Sequence, residues 1–201
     1  VQTEVVHALT NGAEGDVSPA FTTQNFAEAE QLGLSLATKA FELFQDLDRR
    51  LTDVVQLGYN YEELPLQISY TVDDLVLCQY AMVGMPVLGG SEEGRSLSYG
   101  KLPGVYEGAR QESPQGCHTW KLKALDFLQD LIPDTDFPTT MTLQTVRINE
   151  LLLVAVPGEI STEMGQRVKQ AALQAAQYTR QGITQVAIVG LANQYISYFT
   201  T

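Results

Sequence analysis

From Leu151 onward the chain has few ways to fold. Leu151 to Val156 is an unbroken apolar run with β-branched residues and no alternation, closed by Pro157-Gly158, which is the pattern of a strand buried on both faces. Ser161 is placed to cap a helix running through Thr179, with Met164, Val168, Ala171, Ala172 and Ala175 on one side, and Gly182 ends it. Val186 to Val189 is a second β-branched run. Strand, helix and strand in that order imply a parallel pair joined by a right-handed crossover. The expected fold class is therefore α/β, a mixed β-sheet with packed helices and a C-terminal right-handed βαβ unit. Both strands then point the same way. Glu159 leaves the carboxyl end of the first, while Asn193, Tyr195 and Tyr198 leave that of the second, the end where open α/β sheets place ligands.

The rest of the chain suits one such core. Its 201 residues are 44% apolar and 18% charged, ordinary globular values, and they are expected to form a single domain spanning residues 1–201. Twenty-four acidic against twelve basic side chains give a net charge of -12, which repels phosphate backbones and excludes nucleic acid or an anionic membrane surface as the main partner. No apolar run is long enough to be a transmembrane segment. Val1-Gln2-Thr3 opens directly on strand-like sequence with neither initiator Met nor signal peptide, so an interior piece of a longer protein is expected. Cys78 and Cys117 form no C-x-x-C pair, which removes a zinc ribbon and leaves either two thiols or one disulfide.

Earlier elements are weaker. Val1 to Leu9 favours a strand, and Asn11-Gly12 and Gly15-Asp16 signal a turn after it. Gln24 to Leu51 has the clearest helical period, with Ala29, Leu32, Leu36, Ala40, Leu43, Leu47 and Leu51 forming a stripe expected to face the core. Leu66 to Val72 alternates as a strand, Gly84 to Gly116 collects Gly, Ser and Pro as a long surface excursion, and Trp120 to Ile132 suits a short helix. Thr139 to Ile148 is another strand, joined to Leu151 by a tight Asn149-Glu150 turn.

Few groups here carry chemistry. There is no phosphate loop, no G-x-S-x-G, no H-E-x-x-H and no dinucleotide fingerprint. Ser18, between a Gly15-Asp16 turn and Pro19, is either a fixed hydroxyl for a substrate or simply part of a stiffened turn. Glu159 near a helix start is favoured by the helix dipole in any case, and two tyrosines at a strand end often only pack. Glu159 with a tyrosinate would nonetheless offer hard oxygen donors to Zn²⁺, which usually also takes histidine. The two histidines, His7 and His118, are assigned no role.

Taken in order, TNGAEGDVSPAF, VPGEISTEMGQRV and VGLANQYISYFTT resemble the serine, glutamate and tyrosine motifs of the neutral (non-lysosomal) ceramidase family. Those motifs are GDVSPN, PGEFT followed by G-R-R, and N-x-Y-x-x-Y-x-T-T; MVGMPVLGGSEEG shows a weaker likeness. The resemblance implies a zinc-dependent amidohydrolase that cleaves the N-acyl bond of ceramide to sphingosine and a fatty acid. It assigns Ser18 to the active site, either as nucleophile or as the group orienting the substrate's primary hydroxyl while water activated by the metal attacks. The second role agrees better with the chemistry, because a metal that polarises the amide needs no serine nucleophile. Glu159 and Tyr198 match the zinc ligands, with Tyr195 the second choice, and Gly15 and Asp16 would border the substrate.

Cys78 and Cys117 resemble the family's disulfide pair, which implies a secreted, periplasmic or cell-surface protein. Ala20 departs from the family's Asn, so a side-chain hydrogen bond beside the serine is not expected. The family's two zinc histidines precede the serine motif and are expected upstream of Val1. This stretch would then carry part of a metal site, bind zinc weakly alone and depend on the rest of the ceramidase chain. Two other functions stay open: hydrolysis of another N-acyl lipid or amide, since residues 84–116 depart most from the family, and a noncatalytic binding or scaffold domain.

Overall fold

The computed structural model describes residues 8–47, 51–72, 75–91, 94–124 and 137–200. They fall into two compact units, one built from the chain up to Glu62 and from Thr142 onward, the other from Glu63 to Met141. His7 and most of the strand expected over Val1 to Leu9 lie outside the described residues, as does most of the helix expected over Trp120 to Ile132.

In the first unit α1 spans Phe26–Leu47 and β1 spans Leu57–Pro65. Asn25 Oδ1 accepts the Glu28 N–H at 3.0 Å, while the Glu28 carboxylate accepts the N–H groups of Thr23 and Gln24 at 2.9 and 2.7 Å. This reciprocal arrangement satisfies donors that the first helical turn leaves open. The stripe expected to be core is not covered: Leu36 is 64% exposed and Leu47 50% exposed, and no described residue of α1 is buried. Periodicity identifies the apolar face of a helix but does not supply the layer that covers it.

The second unit contains two short strands, β2 at Tyr70–Val72 and β3 at Leu75–Leu77, paired antiparallel. The strand expected from Leu66 is thus shorter. Its first residues bend after Pro65, where the Leu66 N–H is donated to Thr139 O at 2.8 Å and the Tyr70 hydroxyl to Pro65 O at 2.6 Å. Residues 84–116 are more than a surface excursion. Met85–Gly89 forms a 3-10 turn, and Val105, fully buried, packs with Met85 and Ala124 in a small core of this unit. Lys121 and Lys123 lie in extended bridges to Arg110 and Gly84, so the start of the expected Trp120 helix is not helical. Cys78 and Cys117 form a disulfide.

Returning to the first unit, β4 spans Thr140–Ile148, β5 Leu151–Ala155, β6 Glu159–Ile160, α2 Thr162–Tyr178, β7 Gln185–Val189 and β8 Tyr198–Phe199. The main sheet has the order β1-β4-β5-β7, with β4 and β5 antiparallel and β5 and β7 parallel in the register Leu151↔Gln185 to Ala155↔Val189. The sheet is mixed and the class is α/β, as the sequence indicates. The β4–β5 turn places Asn149 at φ 53°, a left-handed position asparagine tolerates where glycine would be usual.

α2 begins as expected, with Ser161 Oγ accepting the Met164 N–H, and it reaches Thr179. Its covered face differs in detail: Met164, Gly165, Val168, Ala172 and Ala176 are partly or fully buried, whereas Ala171 and Ala175 are exposed. β5 is only half-buried along its length rather than covered on both faces. The core beside α2 is Val156, Ile160 and Ile188, with Ala13, Val154, Met164, Val168 and Phe199 packed on it. Ile160 is 1% exposed, a burial that contributes about 1.5–3 kcal/mol.

A candidate carboxylate and phenol site at the sheet rim

The short strands β6 and β8 decide the site. They pair in parallel with Glu159 opposite Tyr198 and Ile160 opposite Phe199. Their partnership is zipped by Glu159 N–H to Ser197 O at 3.0 Å and Ser161 N–H to Phe199 O at 2.9 Å. Gly158 is required there, since a Cβ on it would lie 2.2 Å from Ser197 O. The chain leaving β7 reaches this pairing through left-handed backbone at Leu191, Asn193 and Ser197, with φ of 54°, 67° and 81°. Non-glycine residues in that region persist only where surrounding contacts hold them. Here the Gln194 side chain accepts the Thr142 N–H at 3.0 Å, and the Asn193 amide donates to Gln144 Oε1 at 3.1 Å.

The Glu159 carboxylate acts on both Tyr195 and Tyr198. The Tyr195 hydroxyl donates to Glu159 Oε1 at 2.6 Å, a charge-assisted length. Its pKa is pushed up to about 12, first by this bond, then by desolvation and the negative charge of Glu159. Tyr198 is also raised, again first through a hydrogen bond to Glu159 and then by desolvation. Both rings remain about half exposed, so the rim is open on one side.

The serine loop is fastened to the same rim. Gly15 N–H donates to Ile160 O at 2.9 Å, and a Cβ at Gly15 would stand 2.8 Å from Glu159 O, so only glycine permits this approach. Asp16 Oδ1 accepts both the backbone N–H and the hydroxyl of Thr162, at 2.6 and 2.8 Å. Those bonds, the backbone one first, hold its carboxyl below the usual value and anchor the loop to the first turn of α2. Ser18 lies two residues further on, exposed.

Glu14 was given no role from the sequence. Among the described residues its Oε2 is buried without a hydrogen-bond partner, and its negative charge acts on both Tyr195 and Tyr198. An acidic residue directly before a Gly-Asp turn carries no motif signal, so only the fold reveals it. The resulting set of two carboxylates and two phenols offers hard oxygen donors to a divalent cation, and the orphaned Glu14 oxygen fits such a guest. Another compact group, Cys78, Cys117 and His118, has ligand atoms within 4.8 Å of one another. The disulfide consumes both thiolates there, and burial, then Lys121 and Lys123, lowers the His118 pKa.

Polar groups from distant stretches thus meet beyond the carboxyl ends of two parallel strands of an α/β sheet, the end where open sheets of this class place ligands. Residues 2–201 match the family described as neutral/alkaline non-lysosomal ceramidase, N-terminal, and the chain belongs to that family. It is 26% identical over 189 residues to neutral ceramidase of Pseudomonas aeruginosa, covering 88% of this chain and 28% of the relative. Neutral ceramidase B of Dictyostelium discoideum is 24% identical over 96% of this chain and 28% of its own length. The chain therefore spans little more than a quarter of these relatives. A structure described as ceramidase complexed with C2 overlays 73% of this chain and 25% of its own at 25% identity, with a TM-score of 0.49.

Proposed function

We propose that this chain supplies part of the active site of a zinc-dependent amidohydrolase that cleaves the N-acyl amide of ceramide, releasing sphingosine and a fatty acid. The observation that carries this reading is the convergence of Tyr195 and Tyr198 on Glu159 beside the loop that holds Ser18. In it Glu159 and Tyr198 hold the ion, and Tyr195, whose hydroxyl already donates to Glu159 Oε1, orients that carboxylate or replaces Tyr198 as ligand. When bound, Zn²⁺ would supply Lewis acidity toward the amide carbonyl and a more acidic water.

The protein's own groups do the positioning. Asp16 and Gly15 fix the serine loop against Thr162 and Ile160 and border the substrate, and the Ser18 hydroxyl orients a substrate hydroxyl. The remaining ligands, expected as two histidines, would come from the rest of the ceramidase chain. The Cys78–Cys117 disulfide favours an oxidising location, secreted, periplasmic or at the cell surface. Among the described residues no helix is long and apolar enough to cross a membrane.

The test is zinc content and ceramide turnover of the complete protein, wild type beside Glu159→Gln. Loss of bound zinc together with a fall in turnover of at least about a hundredfold is expected, because a carboxylate ligand is replaced by a neutral amide. Unchanged metal occupancy would remove Glu159 from the ligand set.

A further inference from the structure

The segment before the serine loop crosses the rim and is pinned at both ends. Gly190 N–H donates to Asn11 O at 2.9 Å, and Gly15 N–H donates to Ile160 O at 2.9 Å. Between these clips the chain bends at Ala13. Ala13 turns toward α2, its Cβ so near Gly165 that a Cβ there would stand 2.5 Å away, and it packs on the Val156, Ile160 and Ile188 core. Glu14, next in the chain, is half-buried. Its Oε2 lies 3.5 Å from where a Cβ on Gly190 would be, a point itself 3.6 Å from Gly158 O, and Gly158 directly precedes Glu159.

A buried carboxylate oxygen without a donor is costly unless a cation meets it. The nearby groups acting on the rim make the need greater, since Glu159 is also acidic and the Tyr195 hydroxyl already spends its hydrogen bond on it. A neutral ligand would leave the second charge uncompensated, and a phosphate or carboxylate ligand would add to it. The guest that balances this rim is a small divalent cation.

Resting on the reading of the rim as a zinc site, we propose that Glu14 is a second carboxylate of that site, binding the ion through the oxygen that is otherwise unpartnered. Its backbone fits the task, because both flanking clips hold it and the glycine at 190 leaves room for its carboxylate. This predicts a trade between the two states of the site. Without metal Glu14 is a burden on the fold, and with metal it is a ligand.

The experiment uses the complete protein, stripped of metal, with Zn²⁺ affinity measured by competition against a chromophoric chelator and thermal unfolding followed with and without Zn²⁺. Glu14→Gln is expected to weaken Zn²⁺ binding by about tenfold or more, to melt no lower than wild type when metal-free, and to gain less from added Zn²⁺. Affinity within twofold of wild type overturns the proposal. Glu159→Gln is measured in parallel: if it too leaves affinity unchanged, the rim is not a zinc site at all, whereas an effect at Glu159 alone rejects only Glu14. Should Glu14→Gln fail to fold, Glu14→Asp withdraws the carboxylate by one methylene, and wild-type affinity in that variant likewise rejects the role.

Discussion

Two regions of this chain gather metal-binding side-chain types, and they have met opposite fates. At the rim, the β6–β8 pairing sets Glu159 opposite Tyr198, the Tyr195 hydroxyl donates to Glu159, and the negative charge of Glu14 acts on both phenols. In the unit from Glu63 to Met141, Cys78, Cys117 and His118 have ligand atoms within 4.8 Å of one another, but a covalent bond has closed the group. Proximity of ligand-type residues is therefore a weak sign of a metal site. What separates the two is whether anionic donors remain: oxidation to the disulfide leaves neither sulfur a thiolate, whereas one Glu14 oxygen has no hydrogen-bond partner among the described residues.

That contrast breaks most visibly at the disulfide. Replacing both Cys78 and Cys117 by Ser in the complete protein opens a loop of sequence separation 39, which should cost about 4 kcal/mol by loop entropy, seen as a lower denaturant midpoint. Zinc affinity should stay at the wild-type value. A parallel drop in affinity would mean that the two regions are not independent.

Gly158→Ala attacks the other side. A Cβ 2.2 Å from Ser197 O forces β6 from β8, with an expected loss of about 1–3 kcal/mol and of the phenol bonds to Glu159. Urea unfolding together with tyrosine ultraviolet titration reads both effects, and a variant with wild-type stability would show that the pairing is loose.

The smallest effect is the titration of the rim itself. In metal-free protein the Tyr195 phenol should ionise near 12 rather than near the ordinary 10, measured as the wild-type minus Tyr195→Phe difference spectrum. Because the folded value is raised, the stabilisation it reports is complete below about pH 10 and is lost as pH climbs through about 12. Glu159→Gln should return the value toward 10, and a phenol still near 12 in that variant would assign the shift to burial instead. Asp16 has the opposite sign: its lowered carboxyl supports the loop above the ordinary aspartate range and releases it as pH falls through the depressed value.

The strands and helix from Leu151 onward were legible because their signals are local. An unbroken β-branched run, a serine cap and a terminating Gly182 need no distant partner to be recognised, and all of them appear at the expected positions, Gly182 at φ 69°. The two amphipathic helices show the limit of such signals. Both α1 and α2 have an apolar face, yet α2 covers its own against Val156, Ile160 and Ile188 while the stripe of α1 stays exposed. Residues 57–65 were missed as a strand although Leu57, Tyr59 and Tyr61 alternate with Gly58, Asn60 and Glu62, because those positions are mostly tyrosines that stay exposed rather than aliphatic residues of a core face.

Taken alone, the order of residues determined a parallel strand-helix-strand unit, a hairpin at Asn149 and the presence of a serine, a glutamate and two tyrosines at positions that resemble a ceramidase. Only the tertiary structure decided that β6 pairs with β8, that the Tyr195 hydroxyl meets Glu159, and that a Glu14 oxygen is buried without a partner among the described residues. The physical reason is range. Caps, turns and periodicity act within a few residues, whereas the side-chain hydrogen bonds of the rim join residues up to 146 positions apart, and such pairings exist only once the sheet has brought them together.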